Sequence, residues 1–171
     1  MLVETLGGIP EILFASLFKY RHEANEVWRN TCLVNLSSKT RMNGKRSSLE
    51  GQLTPGGFRL ESKSAEGKET SDAPEPCLAS YAYWDKERLD QSQLVNPQTG
   101  QISASRLTFV GTTALPKANL LMQPISANQY MLKNELATIM VWYDQEGRWL
   151  ALETDQDGRT LTYINTALLK D

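Results

Sequence analysis

The stretch ATIMVWYDQEGRWLALETDQDGRTLTYIN, Ala137 to Asn165, sets three short runs of β-branched, aromatic and aliphatic residues between two turns that end in Gly147 and Gly158. Runs of this length, bounded by Asp, Gln and Gly, have the period and punctuation of strands joined by hairpin turns. The reading is a three-strand antiparallel meander. The same grammar recurs upstream. TCLVNLSSKTRMNGKRSSLEGQL, Thr31 to Leu53, divides at Asn43-Gly44, a dipeptide that tolerates the positive φ of a type I′ turn. TPGGFRLESKS opens a further strand after a Pro-Gly-Gly turn, and QLVNPQTGQISASRLTFVG encloses a turn between Asn96-Pro97 and Thr99-Gly100. From Ile12 to Trp28, alternation places Phe14, Phe18, Tyr20, His22 and Trp28 on one face of a long, bent strand. By contrast AEGKETSDAPEP carries no apolar payload and reads as a polar, mobile loop over residues 64–76.

The period changes in PEPCLASYAYWDKERLDQ, Pro74 to Gln91. Leu78, Tyr81, Ala82, Asp85 and Leu89 recur at three- and four-residue spacing, which predicts one short helix near residues 77–90. Leu78, Tyr81, Ala82 and Leu89 would face the sheet, while Lys86, Glu87 and Arg88 would stay in water. Many short strands, glycine turns and one helix predict a mainly β fold: a curved antiparallel sheet forming a closed or partly open barrel, the helix plugging its mouth. At 171 residues one domain over 1–171 is expected, with residues 1–10 irregular or a truncated start.

Composition excludes several classes of function. Eighteen basic against twenty acidic residues leave a net charge of -2 and no long basic run, so the surface is not built to neutralise nucleic-acid phosphates. No apolar run approaches a transmembrane span, and ILFASLF is far too short. The start MLVETLGGIPE has no basic residue before its apolar positions and reads as carrying no export signal, which keeps the cytoplasm open as a location.

Chemistry-bearing residues are sparse. His22, the one histidine, shares a strand face with Tyr20, Glu26 and Trp28, so a His–carboxylate pair in an aromatic pocket is conceivable; the plainer reading is a hydrogen-bonded histidine at a sheet margin. One histidine and two cysteines argue against a zinc site. Asp155 and Asp157 resemble the start of a calcium loop but lack its later ligands, and a hairpin turn explains them. No metal and no cofactor is expected. No G-x-S-x-G elbow occurs. The tryptophans Trp28, Trp84, Trp142 and Trp149 suit either a core or a ligand pocket, with Trp142 and Trp149 stacking across the meander. Cys32 and Cys77 are a disulfide candidate: in an oxidising compartment the bond would contribute about 4 kcal/mol by loop entropy, and in a reducing one they would be two thiols.

Four separated blocks, KYRHEANEVWRNTCLV, CLASYAYWD, QSQLVNPQTGQ and VWYDQEGRWLALETDQDGRTLTYI, resemble in order an uncharacterised family of exported bacterial proteins, a domain of unknown function (DUF6134-like). The resemblance runs from about Ile12 to Ile164 and implies a periplasmic or cell-envelope location, a β-rich barrel-like domain and no established activity. It also implies an export signal and further strand sequence at the beginning, where Met1 to Pro10 departs from the pattern.

The leading expectation is a non-enzymatic envelope protein holding a small apolar or amphipathic molecule in a barrel cavity, with Tyr20, His22, Glu26, Trp28, Tyr81, Trp84 and Trp142 as ligand-binding candidates and no catalytic residue assigned. An adaptor that binds a partner or a second copy through an exposed sheet edge is the alternative from another class. An enzyme using His22 with Glu26 is the third.

Overall fold

The computed structural model of the chain describes residues 2–4, 20–75, 77–116, 125–135, 137–156 and 158–165. Its elements are β1 (Leu2–Glu4), β2 (Tyr20–Arg29), β3 (Cys32–Met42), β4 (Lys45–Thr54), β5 (Gly57–Ser64), β6 (Gly67–Ala73), β7 (Ala79–Ser80), α1 (Lys86–Leu89), β8 (Gln93–Val95), β9 (Ile102–Ala114), β10 (Ser126–Asn134), β11 (Thr138–Tyr143), β12 (Trp149–Gln156) and β13 (Arg159–Ile164). The chain is mainly β with almost no helix, and an antiparallel sheet curls into half a barrel, the partly open form of the expected architecture. It divides into two compact units, one of Met1–Ile9, Ala82–Ser92 and Ala104–Asp171, the other of Pro10–Tyr81 and Gln93–Ser103.

In the first unit the meander is present as read: β11, β12 and β13 pair antiparallel, and β10 and β9 extend the ladder beyond β11. The turn after β11 closes because the Asp144 carboxylate accepts from the backbone N–H groups of Glu146 and Arg148. A bulge between Trp142 and Tyr143 shifts the register, so Ala151 stands opposite Trp142 and Trp149 stands opposite Tyr143. That corrects the expected stacking of Trp142 on Trp149. Trp142 instead packs with Leu115, Ala127, Leu150 and Ala151, a core of this unit.

In the second unit five strands run in the order β2-β3-β4-β5-β6, every neighbour antiparallel. Asn43 and Gly44 take φ of 51° and 88°, and Met42 pairs with Lys45 across them, as the Asn-Gly turn requires. Gly57 has a φ of 118° and its absent Cβ would lie 2.0 Å from the Ala73 carbonyl oxygen, so only glycine lets β5 approach β6 here. Leu33, Leu36, Leu49, Phe58 and Leu60 alternate onto one face and close, with Ala73, Leu78 and Val95, into a packed core.

Two expectations are corrected here. The polar segment read as a loop over 64–76 contains strand β6, which pairs with β5 from Ser64↔Gly67 to Phe58↔Ala73. All of it but Ala73 is exposed, so its polarity carries no signal of strand; backbone pairing and the Arg59–Asp72 and Lys68–Glu61 ion pairs fix it instead. The helix covers only Lys86–Leu89, with Asp85 as N-cap accepting from the N–H groups of Glu87 and Arg88. Residues before it are committed elsewhere: the Leu78 carbonyl accepts from Leu33 N–H, Ala79 and Ser80 pair in parallel with Leu94 and Val95, and Cys77 is bonded to Cys32. Backbone groups engaged in a ladder cannot also close helical turns. Leu78, Ala82 and Leu89 are buried as expected, Tyr81 only half so, and Lys86 lies over the Tyr130 ring at 5.2 Å rather than free in water.

Candidate functional site

The sequence candidates fall into two groups. Trp84 and Trp142 belong to the first unit; Tyr20, His22, Glu26, Trp28 and Tyr81 belong to the second. Trp142 is 3% exposed and donates from its indole N–H to the Thr113 hydroxyl, a core role, whereas Trp84 is largely exposed. On β2 the alternation holds, and His22, Glu26 and Trp28 are the half-buried positions. Tyr20 is exposed, donates to the Gln98 side chain at 2.9 Å and stacks on the His22 ring. His22 stands opposite Thr40 in the ladder and its Nδ1 lies 2.9 Å from the Thr40 hydroxyl. Burial lowers its pKa, so the ring is neutral near pH 7. Four residues along a strand separate His22 from Glu26 by roughly 13 Å of backbone. The Tyr81 ring is half-buried and its hydroxyl hydrogen-bonds Ser103.

The opposite face of the same sheet carries a pattern that the candidates did not include. Arg21 stands opposite Arg41, and Arg41 opposite Arg46, across three consecutive strands. Two residues further along, the next row on that face reads Glu23–Lys39–Ser48–Lys63–Lys68, and the row beyond it Asn25–Ser37–Glu50–Glu61–Thr70. Charge is layered across the strands. At the β5–β6 side the cations find carboxylates: Arg59 Nε lies 2.8 Å from Asp72, and Lys68 and Lys63 lie 2.6 and 3.3 Å from Glu61. The Lys68 hydrogen bond, foremost, holds the Glu61 carboxyl below its usual range.

At the β2–β4 side the balance fails. Arg21 pairs with Glu23, but Lys39, Arg41, Lys45 and Arg46 make no ion pair among the described residues. Like charges directly opposite in a ladder destabilise it by a few tenths of a kcal/mol or more. These residues border an open concavity of about 670 Å³ that also takes in Glu23, Lys63 and Ser48; Thr40 and Ser47 line it too, but in the ladder they alternate onto the other face, where the Thr40 hydroxyl meets His22. Its lining is rich in Lys and Arg, side chains that combine a methylene stem with a charged head. Chemically it can hold an anion, and methylene groups beside that anion.

The sequence hides this site because its residues are dispersed. Yet KTRMNGKR contains half the signal: a two-residue turn at Asn43-Gly44 necessarily sets Arg41 opposite Arg46. A sequence model of a protein family described as a domain of unknown function (DUF6134) matches residues 9–166. No curated protein and no solved structure matches the chain.

Proposed function

We propose that this chain, which belongs to the DUF6134 family of domains of unknown function, is a non-enzymatic protein of the cell envelope that holds a small amphipathic molecule at the β2–β4 end of its five-stranded sheet. The observation that carries the reading is the concavity of about 670 Å³, whose lining holds six Lys and Arg side chains against the single carboxylate of Glu23. A purely apolar ligand has less support, because the inner face of this sheet is filled by its own side chains: Leu33, Leu36 and Phe58 are 0% exposed. The Cys32–Cys77 disulfide supports an oxidising location such as the periplasm. No helix among the described residues is long and apolar enough to cross a membrane.

Native mass spectrometry of protein gently extracted from the envelope fraction of its host tests this. A retained molecule of acyl-chain mass, displaced by mild detergent, is expected. Protein recovered from the cytosolic fraction, or protein that never retains a ligand, would overturn it.

A second reading, an adaptor that docks a strand, rests on β2. Among the described residues it is an edge of the five-stranded sheet, and it exposes Tyr20 and Val27, the latter at 57%. Light scattering that shows a strict monomer, with no partner recovered in a pull-down, counts against it.

A further inference from the structure

We infer that Arg21, Arg41 and Arg46 form the headgroup subsite of that concavity and that its ligand carries a phosphate monoester. This rests on the reading of the concavity as a binding site for an amphiphile, and names the chemistry of its polar end.

Three observations converge. The first is register. Neighbouring strands lie about 4.8 Å apart, so three arginines in one ladder row line up over roughly 10 Å on one face. Guanidinium groups at that spacing can bracket a tetrahedral anion from two sides, each with a planar fork matched to two phosphate oxygens. The second is the missing counter-charge. On the same face Arg21, Arg59, Lys63 and Lys68 have carboxylate partners, while Lys39, Arg41 and Arg46 have none among the described residues. The chain as a whole has more acidic than basic residues, so composition does not explain a cationic corner. The third is what surrounds it. Ser48 borders the same concavity, in the next row on the arginine face, and its hydroxyl can donate to a remaining phosphate oxygen.

A carboxylate headgroup would leave most of this charge uncompensated, whereas a phosphate monoester brings close to two negative charges near neutral pH. A nucleic-acid strand would need cations tracking a run of phosphates; this row ends after three strands, and the next rows on the face bring in Glu23, Glu50 and Glu61.

Calorimetric titration of the full chain with three probes tests the inference: glycerol 1-phosphate, lysophosphatidic acid below its micelle concentration, and lysophosphatidylcholine of the same chain length. The first two are expected to bind, lysophosphatidic acid at least tenfold more tightly than glycerol 1-phosphate. The double variant R41Q/R46Q is expected to lose tenfold or more for both. Without ligand the variant should melt at the same temperature as the parent or higher, because removing opposed like charges relieves the ladder. That sign separates loss of a site from loss of the fold.

Lysophosphatidylcholine binding as tightly as lysophosphatidic acid, or R41Q/R46Q leaving lysophosphatidic acid affinity unchanged, would overturn the arginine subsite while leaving the amphiphile reading standing. Glycerol 1-phosphate binding lost in the variant, with no gain from the acyl chain, would support the subsite and remove the amphiphile reading. Failure of both phosphate probes to bind the parent would overturn the inference.

Discussion

The Tyr143 hydroxyl donates to the Tyr83 carbonyl at 2.8 Å, joining β11 to the turn before α1 across 60 residues of chain. Tyr143 is 1% exposed, and burial, foremost, pushes its pKa well above the usual tyrosine range. Its ring also meets Tyr130 edge-on at 5.8 Å, and Tyr130 in turn lies beneath Lys86. The four-residue helix is thus held by the sheet of its unit, since so short a helix has no stability of its own. Tyr143→Phe keeps the packing and leaves the Tyr83 carbonyl without its donor. A loss of about 1–2 kcal/mol in chemical denaturation is expected. No loss would mean that the bond does not form in solution.

The disulfide closes 45 residues of chain between β3 and the segment before β7. Replacing both Cys32 and Cys77 with alanine should cost about 4 kcal/mol on the loop-entropy estimate, and dithiothreitol should lower the midpoint of the parent but not of the double variant. Equal sensitivity of the two proteins to reductant would refute the bond.

Burial distinguishes two neighbours that the sequence treats alike. Leu78 is fully buried, and Leu78→Ala should cost about 3 kcal/mol. Tyr81 is only half-buried, so Tyr81→Ala should cost nearer to about 1 kcal/mol. Urea melts of the two variants read the difference directly, and the reverse order would place Tyr81 in the core.

Gly57→Ala should destabilise the β4–β5–β6 ladder by about 2 kcal/mol or more, because a Cβ at φ 118° is strained and would meet the Ala73 carbonyl at 2.0 Å. Gly44→Ala, with nothing within 4 Å of its Cβ, should cost less. Comparable melting temperatures for both variants would show that β6 can shift away.

The pH dependence near neutrality follows from His22. Burial sets its folded pKa below the 6.5 of a free histidine, so between these values the unfolded chain binds more protons than the native one. Stability therefore falls as pH drops through 6.5 and levels off once the folded group also protonates. Denaturant midpoints at pH 7.5 and 5.5 should differ, and His22→Gln should shrink the difference. An unchanged slope in that variant would assign the effect to other groups.

The meander and the Asn43-Gly44 hairpin were legible because apolar alternation and turn chemistry are local: the residues that specify each strand lie within it or at its ends. The strand β6 was not, since GKETSDA exposes nearly every side chain and is held by pairing with β5. The helix was legible in kind but not in extent. Helical spacing from Leu78 onward was overridden where Leu33, Leu94 and Val95 claimed the backbone. The expected stack of Trp142 on Trp149 failed on a single bulge, which a sequence pattern does not place.

By itself, then, the sequence determined a mainly β chain with glycine-punctuated antiparallel hairpins, a short helix near Leu89, and a membership legible in four ordered blocks. It also determined half of the cationic row, because a two-residue turn allows only one partner for Arg41. Only the tertiary structure decided that Arg21 joins that row, that Lys63 and Lys68 are drawn off by Glu61, and that Cys32 meets Cys77. The physical reason is range: turn and alternation rules act over a few residues, whereas register between distant strands is set by burying one common core face. The charges on the outer face are carried into alignment by that burial.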